Sequence, residues 1–465
     1  MKESWATFGA DLHLDLSAGR GLRAGLTEAL REAARSGRLA PGTRLPSSRS
    51  FAADLGIARN TVAEAYAELV AEGWLTARQG SGTRVAQRAR PRARPAAAAR
   101  VRGPARPGTA YSLLAGSPDL GGFPRAAWLS AARRALTGAP NEAFGYGTDP
   151  RGRVELREAL AGYLSRARGV HADPERIVLC AGFAHALMLL AGVLRARRVR
   201  EVAVEGYSLD EHRELLTRAG LRTRPLPVDG AGACTAQVPD GAGAVLLTPA
   251  HQFPTGVALT PQRRAAAVDW ARTTGGIVLE DDYDGEFRYD RQPVGALQGL
   301  DPERVVYLGT ASKSLAPGLR MGWMVLPAGL VDEVVAVKGR IDWTSSALDQ
   351  LTLAEFIRSG AYDRHVRGMR LRYRRRRDEL VAAVAGRVEV SGIAAGLHAV
   401  LDLPEGTQPS VLRAAAWQDL TLETLSRYAH PEAALPPREA LVVGYGTPST
   451  SAWSPTLRAL VAALP

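Results

Sequence analysis

Apolar residues recur at helical spacing soon after the start of the chain: Leu22, Leu26, Ala29, Leu30 and Ala33 share one stripe, and SGRLAPG supplies a stop. A second, shorter helix is predicted after LPSSR, with Ser47 or Ser48 as its cap and Phe51, Ala52 and Leu55 inward. LGIARN makes a tight turn. Val62, Ala65, Tyr66, Leu69 and Val70 then fall at i, i+3, i+4, i+7 and i+8 of a third helix, which Gly73 ends. WLTARQGSGTRVA reads as two short strands about a glycine-rich turn. Beyond residue 111 the pattern changes. Apolar runs (RIVLCAG, EVAVEG, AVLLTPA, GIVLEDD, RVVYLGTA, GWMVLP) alternate with helical stretches such as FAHALMLLAGVLRA and PQRRAAAVDWARTTG. That alternation predicts an α/β body with a largely parallel, helix-covered sheet.

Between the two patterns, residues 86–110 hold seven arginines, four prolines and no acid, with almost nothing large and apolar. Such a segment can bury no core and reads as an extended linker. The expected domains are residues 1–85, the linker 86–110 and a body over 111–465. Charge supports this division. Residues 1–110 hold eighteen Lys and Arg against nine Asp and Glu, which leaves only +3 of the net +12 on the rest of the chain. A positive field concentrated at one end suits a phosphate backbone. The two cysteines, Cys180 and Cys234, are fewer than an extracellular chain of this size would carry, which points to a reducing compartment. The sequence has no apolar leader and no run of membrane-spanning length, so the cytoplasm is the expected location and no membrane partner is expected.

Helix, short helix, turn, longer helix and paired strands make a winged helix-turn-helix, whose second motif helix enters the major groove of DNA. On that geometry Arg59, Asn60 and Thr61 face bases or phosphates, and Arg49 reaches a phosphate from the second helix. Arg78 and Arg84 on the wing, with the amides from Gly80 to Thr83, meet an adjacent groove. The stretch LAPGTRLPSSRSFAADLGIARNTVAEAYAELVAEGWLTARQGSGTRV closely resembles the DNA-binding domain of GntR-type bacterial transcription regulators. One departure is Ala58, where that pattern commonly has serine; the third helix loses a cap worth ~1 kcal/mol.

Ligands of parallel sheets bind beyond the carboxyl ends of the strands, and the residues there form a coherent set. Lys313 follows VVYLGTAS, Asp281 and Tyr283 follow GIVLE, AGFAHAL follows RIVLC, and HQFPTG follows AVLLTPA. An amine nucleophile, a carboxylate and strand-to-helix turns suited to phosphate are the parts that hold pyridoxal 5'-phosphate. The amine condenses with the aldehyde as a Schiff base, and the carboxylate keeps the pyridine nitrogen protonated. A phenol can bond the ring oxygen, and an arginine with helix N-terminal amides can neutralise the phosphate. No metal site is expected.

The segments GTASKSLAPGLRMGW, VLEDDYDGEFRYD, TPAHQFPTG and FGYGTDPRGRVELREALAGYLSRARGV are similar to motifs of fold-type I aminotransferases, over roughly residues 112–460. That resemblance implies roles position by position. Lys313 becomes the Schiff-base lysine, Asp281 the pyridinium partner and Tyr283 the donor to the ring oxygen. Arg320, Thr310 and Ser312 become phosphate ligands, Phe183 and Ala184 give backbone amides to the phosphate, and Tyr207 stacks on the ring. Tyr146 would reach the phosphate of a partner subunit, which implies a homodimer. Phe253 stands where aminotransferases usually carry an asparagine, leaving His251 or Gln252 for the ring oxygen. A GntR-type head on such a body is the architecture of MocR-type regulators.

Aminotransferases usually grip a substrate carboxylate with an arginine near the C-terminus. Here ALVVGYG puts Val442 at that position, and Leu209 replaces a further arginine of the GABA-sensing regulator. Without a bidentate arginine a carboxylate loses its strongest partner; Arg213 and the arginines of RHVRGMRLRYRRRR are the available substitutes. The expected protein is a dimeric regulator that binds double-stranded operator DNA and senses pyridoxal phosphate, or an amino-acid or amine effector that reacts with it. Its targets would be genes of vitamin B6, amino-acid or amine metabolism, and transaminase activity would be residual at most. The alternative is a working aminotransferase with an accessory DNA-binding domain.

Overall fold

Leu26, Leu30 and Ala33 on α1 (Leu22–Arg35) meet Phe51 and Ala52 on α2 (Ser48–Leu55) and Val62, Ala65, Tyr66 and Leu69 on α3 (Arg59–Ala71) in one buried cluster. Leu22, predicted inward, is 56% exposed, because it lies a turn ahead of the first residues that the other helices cover. Ser47 caps α2, its hydroxyl accepting from the Ser50 amide at 3.1 Å, and Ala58 leaves α3 without a side-chain cap. β1 (Leu75–Arg78) and β2 (Gly82–Val85) pair antiparallel, with Leu75 opposite Val85 and both buried in the same cluster.

The computed structural model describes residues 21–35, 37–78, 82–87, 110–145, 149–289, 294–341 and 346–465. The chain divides into two units, Met1–Arg102 and Gly103–Pro465. The expected linker, apart from residues 86, 87 and 110, lies outside the described residues. Both cysteines are free.

In the second unit seven strands form the central sheet: β3 (Ile177–Cys180), β4 (Glu201–Glu205), β5 (Arg222–Leu226), β6 (Ala242–Leu247), β7 (Ile277–Asp281), β8 (Val305–Thr310) and β9 (Gly322–Val325). Their spatial order is β3-β9-β8-β7-β6-β4-β5. Helices α4 (Arg125–Gly138), α5 (Val154–Arg168), α6 (Phe183–Ala196), α7 (Asp210–Arg218), α8 (Pro261–Thr274), α9 (Val331–Ile341) and α10 (Ala347–Arg358) pack on it. The inner strands are largely apolar because both faces are covered: Val202 and Val204 join the cluster of α6, and Ala203 joins that of α8. β5 was not predicted. Pro225 and the arginines of RTRPL disguise it, and it lies at the sheet edge, where a missing amide is tolerated.

β9 runs against both its neighbours. The connection from Thr310 to Gly322 is too short for the crossover that a parallel pair requires, so the chain doubles back. That return carries Lys313 and Arg320. Further on, α11 (Ala361–Val384), with Val366, Met369 and Tyr373 buried, leads to a small antiparallel sheet. It consists of β10 (Glu389–Ser391), β11 (Ala399–Asp402), β12 (Glu423–Thr424) and β13 (Ala440–Val443), ordered β10-β11-β13-β12. Among the described residues no helix is long and apolar enough to cross a membrane.

Candidate functional site

The carboxyl ends of β4, β6, β7 and β8 open onto one cavity, which brings together Glu205, Thr248, Asp281, Tyr283, Thr310, Ser312 and Lys313. Asp281, the last residue of β7, is buried, and its Oδ1 meets no hydrogen-bond donor. Burial pushes this carboxyl well above the ordinary range. Lys313 pulls it back, and Asp282, Asp284 and Glu205 add to the rise. A cationic N–H placed there would satisfy the oxygen and hold the carboxyl ionised. The Lys313 ammonium donates to the Gly116 carbonyl. Burial lowers its pKa against the pull of Asp281 and Asp284, which raises the share of free amine able to attack an aldehyde.

Register assembles the other end. Thr310 pairs with Gly322 and Gly322 with Cys180, so the end of β8 lies beside the turn into α6. A Cβ on Gly322 would stand 2.8 Å from the Gly182 Cα, so the two backbones can approach this closely only with glycine at 322. Gly182 (φ 90°) precedes α6 and no side chain caps that terminus, whose first residues, Phe183 and Ala184, line the cavity. Arg320 occupies the left-handed region (φ 50°), donates to the Ala181 carbonyl and lies against Gly182. Thr310 Oγ1 and Ser312 Oγ are 2.7 Å apart. Helix amides, a guanidinium and two hydroxyls around one glycine turn can hold a phosphate.

Several residues singled out from the sequence stand elsewhere. Tyr207 does not line the cavity: its ring packs with Phe253, Tyr428 and Val442, and Ser208 and Leu209 take the wall instead. His251 is not on the wall either; it sits behind the Tyr283 hydroxyl, which is 3.1 Å from its Nδ1. The Gln252 amide donates to Glu205 and to the carbonyls of Tyr207 and Phe253, so this side chain braces the loop. Arg213 is buried among carbonyls, at 2.7 Å from Ser208 O and 3.3 Å from Tyr428 O, and does not reach the cavity. No arginine of α11 lines it, and Val442 is buried beneath Phe253's cluster. Tyr146 and Gly80 lie outside the described residues, as does the side chain of Arg78.

Three titratable wall residues escaped the sequence reading. His212 on α7 faces Phe183, ring centroids 4.4 Å apart, and burial pushes it down to about 4. His398 contacts the Pro254 carbonyl at 3.1 Å, and burial lowers it well below the usual range. Both resemble ordinary helix or core histidines in sequence. Glu205 ends β4, a strand-end position that could have marked it. Burial pushes its carboxyl up to about 7, while the Thr248 hydroxyl and Gln252 amide pull the other way. The unfolded chain ionises this acid near pH ~4.3, so its contribution to stability is full below that value and is lost as pH rises to about 7. Glu205→Gln is therefore expected to gain on the parent, by up to about 3 kcal/mol between pH 4 and pH 8, in urea unfolding. Parallel stability curves for the two proteins would contradict this.

In the first unit Arg49, Arg59 and Asn60 are exposed and Thr61 is half-buried. Arg84 is exposed on β2 and donates to the Gly42 carbonyl at 3.0 Å. Arg44, passed over in the sequence, joins them: its backbone bridges to Arg84, and its guanidinium lies against Gly82 at the wing. These cations flank the start of α3 and the wing, the two parts of such a fold that meet DNA.

Residues 113–428 match the aminotransferase class I and II family, and residues 22–85 match the bacterial regulatory proteins of the gntR family. The chain is 34% identical to the HTH-type transcriptional regulator YdeL of Bacillus subtilis, over 81% of this chain and 83% of that one. It is 32% identical to the HTH-type pyridoxine biosynthesis transcriptional regulator PdxR of Corynebacterium glutamicum, over 87% and 88%. It is also 32% identical to the probable rhizopine catabolism regulatory protein MocR of Rhizobium meliloti, over 93% and 92%. Among solved structures, an archaeal alanine:glyoxylate aminotransferase superposes with a TM-score of 0.67 at 25% identity, covering 76% of this chain and 89% of that one. With both matches in this order, and with relatives aligned over most of their length, the chain belongs to the family of transcriptional regulators that join a gntR-type head to an aminotransferase class I and II body.

Proposed function

We propose that the protein is a cytoplasmic homodimer that binds operator DNA through its head and responds to pyridoxal 5'-phosphate held in its body. The observation that carries this reading is the convergence of Lys313, the unpartnered buried oxygen of Asp281 and the Gly182 turn with Arg320 on one cavity. The cofactor, when bound, supplies an aldehyde for an amine and a ring that draws electrons. Lys313 offers the amine, and Asp281 holds the ring nitrogen protonated. Tyr283 turns its hydroxyl to the ring oxygen. The Phe183 and Ala184 amides, with Arg320, Thr310 and Ser312, take the phosphate. At the head, Arg49, Arg59, Asn60, Thr61, Arg84 and Arg44 take the DNA, with Arg78 and Gly80 on the wing.

A homodimer is supported by large apolar side chains left in water: Leu129 and Leu136 on α4, and Phe144, Val154 and Leu348 beside one groove. Tyr146, two residues beyond Phe144, is the group proposed to complete the other subunit's phosphate site. The effector is pyridoxal phosphate itself. Among the described wall residues the strongly basic groups are Lys313, given to the aldehyde, and Arg320, given to the phosphate, and both wall imidazoles are held neutral, which leaves a substrate carboxylate no partner. The likeness to a pyridoxine biosynthesis regulator supports target genes of vitamin B6 metabolism. Operator binding followed through a full titration with pyridoxal phosphate is expected to change as Lys313 saturates; equal affinity at every concentration overturns the reading.

The second reading, a working aminotransferase with an accessory head, is favoured by the complete set of Lys313, Asp281 and Tyr283 on one wall. Amino acids that discharge the protein's colour at about 1–10³ s⁻¹, the range of ordinary turnover, would select it.

A further inference from the structure

Behind Tyr283 lies a buried polar pair that direct cofactor contact does not explain. His251 and Asp284 are each 2% exposed, and Asp284 Oδ2 is 2.9 Å from His251 Nδ1. The Tyr283 hydroxyl stands 3.1 Å from the same Nδ1 and 3.0 Å from the His251 carbonyl oxygen, while His251 Nε2 meets no partner. A ring nitrogen carries at most one proton. With that proton given to the Asp284 carboxylate, Nδ1 has no lone pair for the phenol, which donates to the carbonyl instead. The phenol is then held by an acceptor that it can leave when a ligand oxygen offers a better one.

The backbone is shaped around this pair. At Gly396 (φ 72°) a Cβ would lie 2.5 Å from Asp284 Oδ2 and nearer still to the His251 ring, so only glycine lets this loop close down. The Tyr445 hydroxyl donates to the Gly396 carbonyl at 2.7 Å and pins the loop in place. The His398 ring, itself on the cavity wall, packs against His251 at 4.8 Å.

We propose that Asp284 and His251 are positioning residues for Tyr283: Asp284 fixes the imidazole, and the fixed imidazole anchors residue 251 so that its carbonyl holds the phenol where it can serve the ring oxygen of bound cofactor. This rests on the cofactor reading above. The test is an absorbance titration of the full-length protein with pyridoxal phosphate. Tyr283→Phe is expected to weaken binding about tenfold, the worth of one hydrogen bond to a charged oxygen, and to alter the ratio of the cofactor's two tautomeric bands. His251→Phe and Asp284→Ala are expected to weaken binding about threefold to tenfold with the same change in bands. Asp284→Asn, which keeps an acceptor for the Nδ1 proton, is expected to lose less than Asp284→Ala. On top of Tyr283→Phe, His251→Phe is expected to cost less than about twofold more. If His251→Phe folds poorly, the same cycle is run with Asp284→Ala. Losses that multiply in the double variant, or Asp284→Asn as weak as Asp284→Ala, overturn the positioning role. A parent protein that takes up no pyridoxal phosphate overturns the cofactor reading and this proposal together; a parent that binds it while the losses multiply overturns the pair alone.

Discussion

Lys313→Ala is expected to lack the shifted absorbance band that pyridoxal phosphate gives the parent protein, and its operator affinity is expected to ignore the cofactor. Among the described wall residues Lys313 carries the one amine. Its surroundings prepare it to react, because burial lowers its pKa while Asp281 and Asp284 keep it from falling further. Alanine removes the nucleophile and leaves the turn at Gly182 and Arg320, the proposed phosphate site, untouched, so the cofactor is expected still to dock without becoming covalent. The change therefore separates occupancy from covalent capture. Absorbance and operator binding across one titration read both quantities. A variant that shows the parent's shifted cofactor band removes Lys313 from the covalent role, and a variant without that band whose DNA binding still follows the cofactor shows that occupancy alone is the signal.

Phe51→Ala is expected to abolish operator binding while leaving the yellow colour intact. The Phe51 side chain is fully buried between α2 and α3, its ring 6.1 Å from that of Tyr66. Truncating a buried phenylalanine costs about 3–5 kcal/mol, and a head of this size has roughly that much stability in total. α3 then loses the surface that orients Arg59 and Asn60, so the effect on DNA is indirect and large. Thermal unfolding should show an early transition lost or shifted down, with the cofactor absorbance melting at its parental temperature. Operator binding at parental affinity would contradict the packing argument.

Much of the site was legible in the sequence. That Lys313, Asp281, Tyr283 and Arg320 share one cavity could be read ahead because a polar group directly after an apolar strand is a local feature, and the ends of parallel strands share one edge by construction. The gaps have one kind of cause. Tyr207 carries the residue type that stacks on a ring, yet Phe253, Tyr428 and Val442 give it an apolar site, and the aromatic ring follows the burial. Arg213 looked free to clamp a carboxylate, but backbone carbonyls of residues 208, 428 and 429 take its donors. β5 was missed because its arginines and Pro225 suit only an edge, and an edge is a property of the whole sheet.

By itself the sequence determined the three-helix head with its wing, the alternation of strand and helix, and the residue types at the strand ends. Each of these depends on periodicity or turn chemistry within a few residues of chain. Tertiary structure alone decided which side chains face the cavity and which support it. It put His398 on the wall through a bond to Pro254, 144 positions away, and set His251 behind Tyr283 rather than beside a ligand. It also turned β9 against its neighbours, which hangs Lys313 and Arg320 on one short return. The direction of a side chain is fixed by what packs around it, and those neighbours come from distant parts of the chain that only the folded sheet brings together.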